Sequence, residues 1–424
     1  MDIKDIKDKK ILILGFGREG RDTFLFLRKM FPGKIFGIAD KSPDIPNLPK
    51  QHAPFVALHL GETYLNAIGE YEIIVKTPGI PLKTLTPLLK KSHKVTNQTE
   101  LFFSACQGTI IGVTGTKGKS TTSSLIHKVL TDAGYKTKLL GNIGTPALSF
   151  LKNHSPEDIF VYELSSFQLE TMRQSPHIAV LLNLYEEHLD HHRGMAEYKK
   201  AKGNIATYQG PADFLLYNEQ DPFCSAIAKK SKAQTIPFRA TSKKRGALFL
   251  ASPEPAILVG KLFGIPQKKI IQSIETFKPL PHRLEPAGVW QGIEFINDSL
   301  ATIPEATIGA LESLKGKIGA LITGGFDRGV SYKRLASYLE NSKIPALILF
   351  PDTGKKIIQL MKRPPQHFFA GSMKEAVQLC FANTPKGKIC LLSPAASSFN
   401  MFKDYADRGD QFKKWVAVYG KKTA

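Results

Sequence analysis

The sequence predicts an α/β protein with three domains: a Rossmann-like N-terminal domain, a central domain with a parallel sheet, and a C-terminal Rossmann-like domain. Short apolar runs alternate with helical patterns along the chain, which is typical of parallel sheets covered by helices. This alternation restarts near Asn97 and again beyond Pro281. With 424 residues the chain is too long for one hydrophobic core, so we expect domains of residues 1–97, 98–281 and 282–424.

The composition is that of an ordinary globular protein, with 42% hydrophobic and 22% charged residues. No apolar run approaches the length of a membrane span. The N-terminus leads directly into a strand and lacks the features of a signal peptide. Four widely spaced cysteines show no metal-ligand spacing and are predicted to be reduced thiols: Cys106, Cys224, Cys380 and Cys390. We therefore expect a cytoplasmic protein.

The net charge of +21 raises the question of a nucleic-acid partner. However, lysine and arginine are spread over the whole length, and no long basic run contains interleaved aromatic residues. A solvated basic surface, which also favours small anionic substrates, is the better interpretation. We expect no nucleic-acid partner.

The first strand, Ile11-Leu12-Ile13-Leu14, is followed by Gly15-Phe16-Gly17-Arg18-Glu19-Gly20 and a helix. A second strand ends at Asp40, at the spacing of a dinucleotide-binding fingerprint. Taken alone this motif is weak, because such glycine turns occur in many α/β folds. A third strand leads into Thr77-Pro78-Gly79-Ile80-Pro81, which is either a ligand-facing sheet edge or a plain turn.

The central domain opens with an apolar strand, the loop Gly115-Thr116-Lys117-Gly118-Lys119-Ser120-Thr121, and a helical pattern. Backbone N–H groups of such a loop, together with the helix N-terminus, can surround a phosphate chain. Lys119 would reach the outer phosphates, and Ser120 or Thr121 would hold Mg²⁺. The strict eight-residue pattern fails at Val113, where its first glycine belongs. The alternative is a tight strand-to-helix turn with an exposed lysine.

Acidic and histidine residues follow the next strands of this domain. Glu163 comes at the end of the strand Ile159-Phe160-Val161-Tyr162, which is a natural Mg²⁺-ligand position beside a phosphate loop. The strand of residues 178–182 leads to a cluster of acids and histidines that contains His188 and suggests a second metal position. Any one of these histidines would ordinarily be a plain loop residue.

The third alternation of strands and helices begins after Pro281. Its predicted strands include residues 295–296, 320–323, 344–350 and 389–392, each followed by a polar loop. Polar groups therefore gather at the carboxyl ends of strands, where open α/β sheets bind their ligands.

Together these motifs resemble the Mur ligase family over nearly the whole chain, and most of all its glutamate-adding member. The resemblance rests on these segments: Gly115–Thr121, Gly141-Asn142-Ile143-Gly144, residues 163–170 (ELSSFQLE), residues 186–190 (EEHLD), residues 281–285 (PHRLE), Asn297-Asp298-Ser299 and residues 393–399 (SPAASSF). It also reassigns the first glycine motif, since in this family the N-terminal domain holds a UDP-sugar and not NAD.

The resemblance implies an ATP-dependent ligase of cytoplasmic peptidoglycan precursor synthesis, which acts as a monomer. Its expected substrates are UDP-N-acetylmuramoyl-L-alanine and glutamate, with D-glutamate favoured over L-glutamate. The alanine carboxylate would attack the γ-phosphate of ATP, and the amine of glutamate would then displace phosphate from the acyl phosphate. A nucleotide-binding protein without ligase activity is the alternative from another functional class.

The resemblance also implies roles for individual residues, with ATP and two Mg²⁺ ions as cofactors. The catalytic and metal-binding set comprises Lys119, Ser120, Thr121, Glu163, His188 and Lys202, and Lys202 corresponds to a carbamylated lysine. ATP is expected to contact residues 115–121, Arg283 and Asp298. The other substrates are expected to contact Arg18, Asp40, Thr77, Asn142, Thr302, Arg328, Ser398 and Tyr405.

Two departures from the family pattern affect substrate recognition. Many members carry lysine after Asn-Asp-Ser, whereas this chain has Leu300, and the usual asparagine three places later is Ile303. One cationic partner of the amino acid is therefore missing; either Arg328 compensates or the acceptor is presented differently. The segment of residues 246–264 also lacks the asparagines that lie near adenine in the family.

We expect Arg328→Ala to raise the KM for glutamate far more than the KM for ATP, because Arg328 would be the remaining cation that faces the amino acid. Steady-state kinetics with each substrate varied in turn would measure this difference. Equal effects on both KM values would contradict the assignment.

Overall fold

The computed structural model describes residues 6–45, 48, 50–141, 146–185, 191–240, 244–245, 248–249, 252–278, 281–327, 330–399 and 401–422. The chain divides into two compact units. The first unit comprises Met1–Ser242 with Ala251–Phe277, and the second comprises Lys243–Leu250 with Lys278–Ala424. Each unit has its own hydrophobic cores.

The first unit begins with a five-stranded parallel sheet in the order β3-β2-β1-β4-β5. Its strands are β1 Ile11–Leu14, β2 Phe36–Asp40, β3 Val56–Leu60, β4 Ile73–Lys76 and β5 Lys94–Thr96. The helices of this part are α1 Arg18–Met30, α2 Leu82–Leu85 and α3 Gln98–Ala105. All four residues of β1 are buried, as expected for a strand whose two faces are both covered.

A six-stranded parallel sheet follows in the same unit, in the order β11-β10-β9-β6-β8-β7. Its strands are β6 Thr109–Thr114, β7 Thr137–Gly141, β8 Ile159–Glu163, β9 Ile178–Leu181, β10 Phe214–Asn218 and β11 Gln234–Phe238. The helices are α4 Lys119–Asp132, α5 Ser166–Leu169, α6 Met195–Thr207, α7 Pro222–Ala228, α8 Glu254–Leu262 and α9 Gln267–Glu275.

The second unit contains a six-stranded sheet in the order β14-β15-β19-β16-β17-β18, in which only the β14–β15 pair is antiparallel. A short hairpin pairs β12 Lys244–Arg245 with β13 Leu248–Phe249. The remaining strands are β14 Glu285–Trp290, β15 Ile293–Asn297, β16 Ile318–Gly325, β17 Ala346–Asp352, β18 Gln366–Phe369 and β19 Ile389–Leu392. The helices are α10 Pro304–Ser313, α11 Lys333–Glu340, α12 Thr353–Gln359, α13 Met373–Asn383 and α14 Tyr405–Lys422.

Side-chain caps define several helix starts within the first unit. Asn97 accepts a hydrogen bond from the Glu100 N–H and so fixes the beginning of α3, where the sequence pattern restarts. Ser165 and Gln168 form a reciprocal capping box on α5. The Asn97 amide also donates to the Gln168 carbonyl at 2.6 Å, so it links the segment after β5 to the segment after β8.

The predicted α/β class is confirmed, and the predicted strands recur with small shifts at their ends. For example, the predicted strand of residues 344–350 is observed as Ala346–Asp352. The domain boundaries at residues 97 and 281 stay predictions. Among the described residues, no helix is long and apolar enough to cross a membrane.

Candidate active site

The phosphate loop, residues 115–119, joins β6 to α4 at the carboxyl edge of the central sheet. Gly118 has a φ of 86°, a left-handed conformation that glycine adopts without steric cost, and it offers α4 no side-chain cap. A side chain at Gly115 would bring its Cβ to 2.8 Å from the Cβ of Leu182. The loop is therefore tightly packed against the residue that follows β9, and it leads into the N-terminus of α4, the end of a helix that attracts anions.

Two lysine ammonium groups meet at this loop. Lys119 Nζ donates to the carbonyls of Gly115 and Thr116, each at 2.9 Å. Lys202, a buried residue of α6, donates from Nζ to the same Gly115 carbonyl at 2.8 Å. Two positive charges near one set of N–H groups make this edge of the sheet strongly attractive to polyphosphate.

Asn183, just after β9, holds the phosphate loop in place. Its side-chain oxygen accepts from the Lys117 N–H at 2.9 Å, and its side-chain amide donates to the Lys117 carbonyl at 3.1 Å. Its own carbonyl accepts from the Thr116 N–H at 3.0 Å. Sequence reasoning missed this residue, because an asparagine after a strand is ordinarily a turn residue and only the fold brings it against the loop.

Thr116 connects the phosphate loop to α6 as well as to the segment after β9. Its hydroxyl lies 3.0 Å from the hydroxyl of Tyr198 and accepts from the Tyr185 N–H at 2.9 Å. Tyr198 is fully buried, so its hydroxyl has little freedom to move. The loop is thus held from both sides before any ligand arrives, which reduces the ordering cost of binding.

Glu163 ends β8 next to β6, where it pairs in register with Val113. Its side chain is 3% exposed, and its Oε2 has no hydrogen-bond partner among the described residues. Ser120, on the first turn of α4, is also buried. Mg²⁺ is usually bound by one or two carboxylates together with substrate phosphates, so a buried carboxylate oxygen beside the phosphate loop fits this ion.

The metal set predicted from sequence is therefore described only in part. His188 lies outside the described residues, as do Asn142 and Arg328. Within the described residues, no group of three or more histidine, cysteine, aspartate or glutamate side chains could hold a metal ion. Lys119, Ser120, Glu163 and Lys202 lie at the carboxyl edge of one sheet, and their roles in catalysis and metal binding stay predictions.

The first sheet has a ligand crevice of its own, where β1 lies between β2 and β4 and the strand order reverses. Gly15, with a φ of 89°, starts the turn into α1, and Arg18 is the first residue of that helix. Asp40 accepts from the Phe16 N–H at 2.5 Å and from the Ser42 N–H at 2.8 Å. Its carboxylate therefore fixes the glycine turn, a role that the fingerprint alone does not indicate.

Thr77 follows β4 on the other side of this crevice. Its N–H donates to the Leu14 carbonyl at 2.9 Å, and its hydroxyl donates to the same carbonyl at 3.2 Å. The carboxyl ends of three adjacent strands are thus flanked by Arg18, Asp40 and Thr77. This is the edge of the sheet where we expect the UDP-sugar from the sequence.

In the second unit, Asp298 follows β15 and is buried between two loops. Its carboxylate accepts from the Ser393 hydroxyl at 2.8 Å and from the Leu284 N–H at 3.2 Å. Burial raises its pKa to about 7, although the nearby positive charge of Arg283 acts in the opposite direction. Among the predicted amino-acid contacts, Ser398 is buried and Tyr405 is 42% exposed.

Arg408, on α14, ties the loop after β15 to the loop after β19. It is fully buried and donates to the Ser299 hydroxyl at 3.0 Å, to the Ser299 carbonyl at 2.9 Å and to the Ala396 carbonyl at 3.0 Å. The Ser299 hydroxyl in turn donates to the Tyr405 carbonyl at 2.7 Å. Arg408 was not predicted as a site residue from the sequence, whereas its contacts in the fold hold both loops in place.

A phosphate loop that faces a buried carboxylate and two lysines is a site for nucleotide chemistry, and comparison with known proteins defines the class. Residues 113–258 match the model of the Mur ligase middle domain. The chain belongs to the Mur ligase family, whose members are ATP-dependent, Mg²⁺-requiring amide ligases, and it acts in peptidoglycan precursor synthesis.

Its relatives include particular members of that family. It is 31% identical to UDP-N-acetylmuramoylalanine–D-glutamate ligase of Acetivibrio thermocellus, over 97% of each chain. It is 32% identical to the enzyme of that name from Pelotomaculum thermopropionicum, over 98% of each chain. Among solved structures, MurF ligase from Thermotoga maritima in complex with ADP covers 99% of this chain and 97% of its own, with a TM-score of 0.59 and 16% identity. That likeness supports the fold.

The buried carboxyl of Asp298 should make unfolding of the second unit pH-dependent. Its pKa is raised from 3.8 in the unfolded chain to about 7 in the fold. The folded state therefore binds more protons between these values, and stability should fall as pH rises from 4 to 7. As pH rises over this range, the free energy of unfolding of Asp298→Asn should increase relative to that of the wild type by up to about 1.4 kcal/mol per pH unit. This difference should become constant above pH 8.

Urea unfolding followed by tryptophan fluorescence would measure this, because both tryptophans, Trp290 and Trp415, lie in the second unit. Asp410→Asn is the matched control for loss of a carboxylate from the same unit, since the Asp410 side chain is 64% exposed. A pH-independent difference for Asp298→Asn would contradict the assignment.

Proposed function

We propose that this enzyme joins glutamate to UDP-N-acetylmuramoyl-L-alanine at the expense of ATP, with D-glutamate favoured. The observation that carries this proposal is the full-length similarity to relatives named UDP-N-acetylmuramoylalanine–D-glutamate ligase. The alanine carboxylate attacks the γ-phosphate of ATP to form an acyl phosphate, and the glutamate amine then displaces phosphate.

The physical difficulty of the first step is that two anions must meet. At about 4 Å, two unit charges repel by about 4 kcal/mol at an effective dielectric constant near 20. Lys119 and the N-terminus of α4 both bring positive charge to the phosphate loop. These groups, with Mg²⁺, offset the repulsion where it arises.

We propose that two Mg²⁺ ions bind here. Ser120 or Thr121 and Glu163 would hold one, while His188 and a carbamylated Lys202 would hold the other. The buried, unpaired Oε2 of Glu163 supports the first site. As an ammonium, Lys202 donates to the Gly115 carbonyl and would repel a cation. A carbamate at the same position would carry negative charge and attract one, and when bound the metals would stabilise the charge that develops on phosphate.

The remaining proposed contacts fall in separate parts of the chain. The UDP-sugar would contact Arg18, Asp40, Thr77 and Asn142, while ATP would also contact Arg283 and Asp298. Glutamate would contact Thr302, Arg328, Ser398 and Tyr405, and the Arg408 contacts that fix the Tyr405 region support this placement. We propose domains of residues 1–97, 98–281 and 282–424 in a cytoplasmic monomer.

A phosphate-release assay tests the function directly. ATP and Mg²⁺ are incubated with UDP-N-acetylmuramoyl-L-alanine, with and without D-glutamate or L-glutamate. Release that needs the UDP-sugar and D-glutamate is expected. Preference for L-glutamate would favour an L-glutamate-adding variant of the same ligase, the alternative that arises because Leu300 replaces the lysine common in the family. Release that ignores the UDP-sugar would favour a nucleotide-binding protein without ligase activity.

Lys119→Met should lower kcat by about 10²–10³-fold, because it removes a cation that faces charge developing on the γ-phosphate. Lys128→Met is the matched control, since Lys128 lies on the same helix and pairs with Asp132 at its surface. We expect this control to stay within about twofold of the wild type. Equal losses in the two variants would show that damage to α4, and not loss of a phosphate contact, lowers the rate.

A further inference from the structure

A buried ion pair joins the two sheets of the first unit. Lys76 Nζ lies 2.7 Å from Glu170 Oε1, and their side chains are 0% and 7% exposed. Lys76 is the last residue of β4, directly before Thr77, and Glu170 directly follows α5. The pair therefore connects the end of a strand in the crevice of the first sheet to the segment that follows Glu163.

Two histidines from a third segment of the chain also lie within ion-pair distance of the Glu170 carboxylate. His191 Nε2 lies 3.5 Å from Glu170 Oε1, and His192 Nδ1 lies 3.8 Å from Oε2. The ring of His191 is stacked on Phe167 of α5, with centroids 3.8 Å apart. Both histidines are buried, so Glu170 is the point where three segments of the chain converge.

The contacts continue from this point to the phosphate loop. His192 Nε2 lies 3.0 Å from the Ser166 hydroxyl, and its ring centroid lies 5.4 Å from that of Tyr198. The Tyr198 hydroxyl then reaches the Thr116 hydroxyl at 3.0 Å. A continuous set of buried contacts thus runs from the end of β4 to the loop that would hold ATP.

Burying the charges of Lys76 and Glu170 costs desolvation free energy. Burial lowers the pKa of Lys76, while the Glu170 charge opposes that shift, and Glu19 adds a second nearby negative charge. A buried ion pair is often no more stabilising than well-packed apolar side chains of similar volume. An ion pair does fix the geometry between particular atoms. The pair at this place therefore points to a need to hold the end of β4 in one position relative to the segment after α5.

We infer that Glu170, paired with Lys76, is a positioning residue that sets the UDP-sugar loop, residues 77–80, relative to the phosphate loop. Neither side chain touches the reacting atoms. Glu170 acts through Lys76 on Thr77, and through the two histidines and Tyr198 on Thr116 of the phosphate loop. This inference rests on the proposed function, because that function assigns the sugar and the nucleotide to the two loops.

Three variants test the inference: Lys76→Met, Glu170→Gln and the double variant Lys76→Met/Glu170→Met. In each single variant we expect the KM for UDP-N-acetylmuramoyl-L-alanine to rise at least tenfold and kcat to fall, while the KM for ATP stays within twofold. In the double variant, thermal stability should return towards that of the wild type because neither member of the ion pair remains buried without the other. Its KM for the UDP-sugar should nevertheless remain high.

The matched control is Lys9→Met/Glu72→Met, which removes a half-exposed ion pair beside the opposite end of β4 and should leave both KM values unchanged. A double variant that regains both stability and the wild-type KM would overturn the inference, because the pair would then be only structural. Equal changes in both KM values would also overturn it.

Calorimetric titration of each variant with the UDP-sugar repeats the test without turnover. If the wild type catalyses the reaction and all variants bind the UDP-sugar as tightly as the wild type does, the inference is overturned but the proposed function is not. A wild type that binds no UDP-sugar would overturn it together with the proposed function.

Discussion

The phosphate loop at the edge of the central sheet depends on the hydrogen bonds that the carbonyl of Gly115 accepts. Lys119 and Lys202 both donate to this oxygen, and the strand that ends before Asn183 packs against its residue. The Asn183 contacts to Thr116 and Lys117 hold the same loop by neutral hydrogen bonds. The loop is therefore ordered by contacts within the protein, which reduces the ordering cost of polyanion binding.

The second unit follows a related principle with different groups. Arg408 donates to the loops after β15 and β19, and Ser393 donates from one of these loops to Asp298 in the other. Asp298 and Arg408 are both buried, and each makes two or more hydrogen bonds to these loops. Such sites fix loop geometry more than they add net stability.

Much of the fold could be predicted from the sequence, because apolar runs and glycine-bounded loops report local structure. The phosphate loop, Glu163 and the strand ends that carry polar residues were predictable for this reason. Asn183, Lys76, Glu170 and Arg408 were not predicted as site residues, because their roles come from contacts between segments far apart in the chain. Asp40 shows an intermediate case: its position was predicted, whereas its hydrogen bonds to the glycine turn follow only from the fold.

The guanidinium of Arg408 spans two loops with three separate donors, and this has a consequence for sequence change. Lysine keeps the charge but presents its donors from one small ammonium, which cannot match the planar fork that reaches Ser299 and Ala396 together. We therefore expect that neither a neutral residue nor lysine at this position would reproduce all three hydrogen bonds. A residue that only shapes a pocket can in this way be as restricted in side-chain type as a residue that takes part in the reaction.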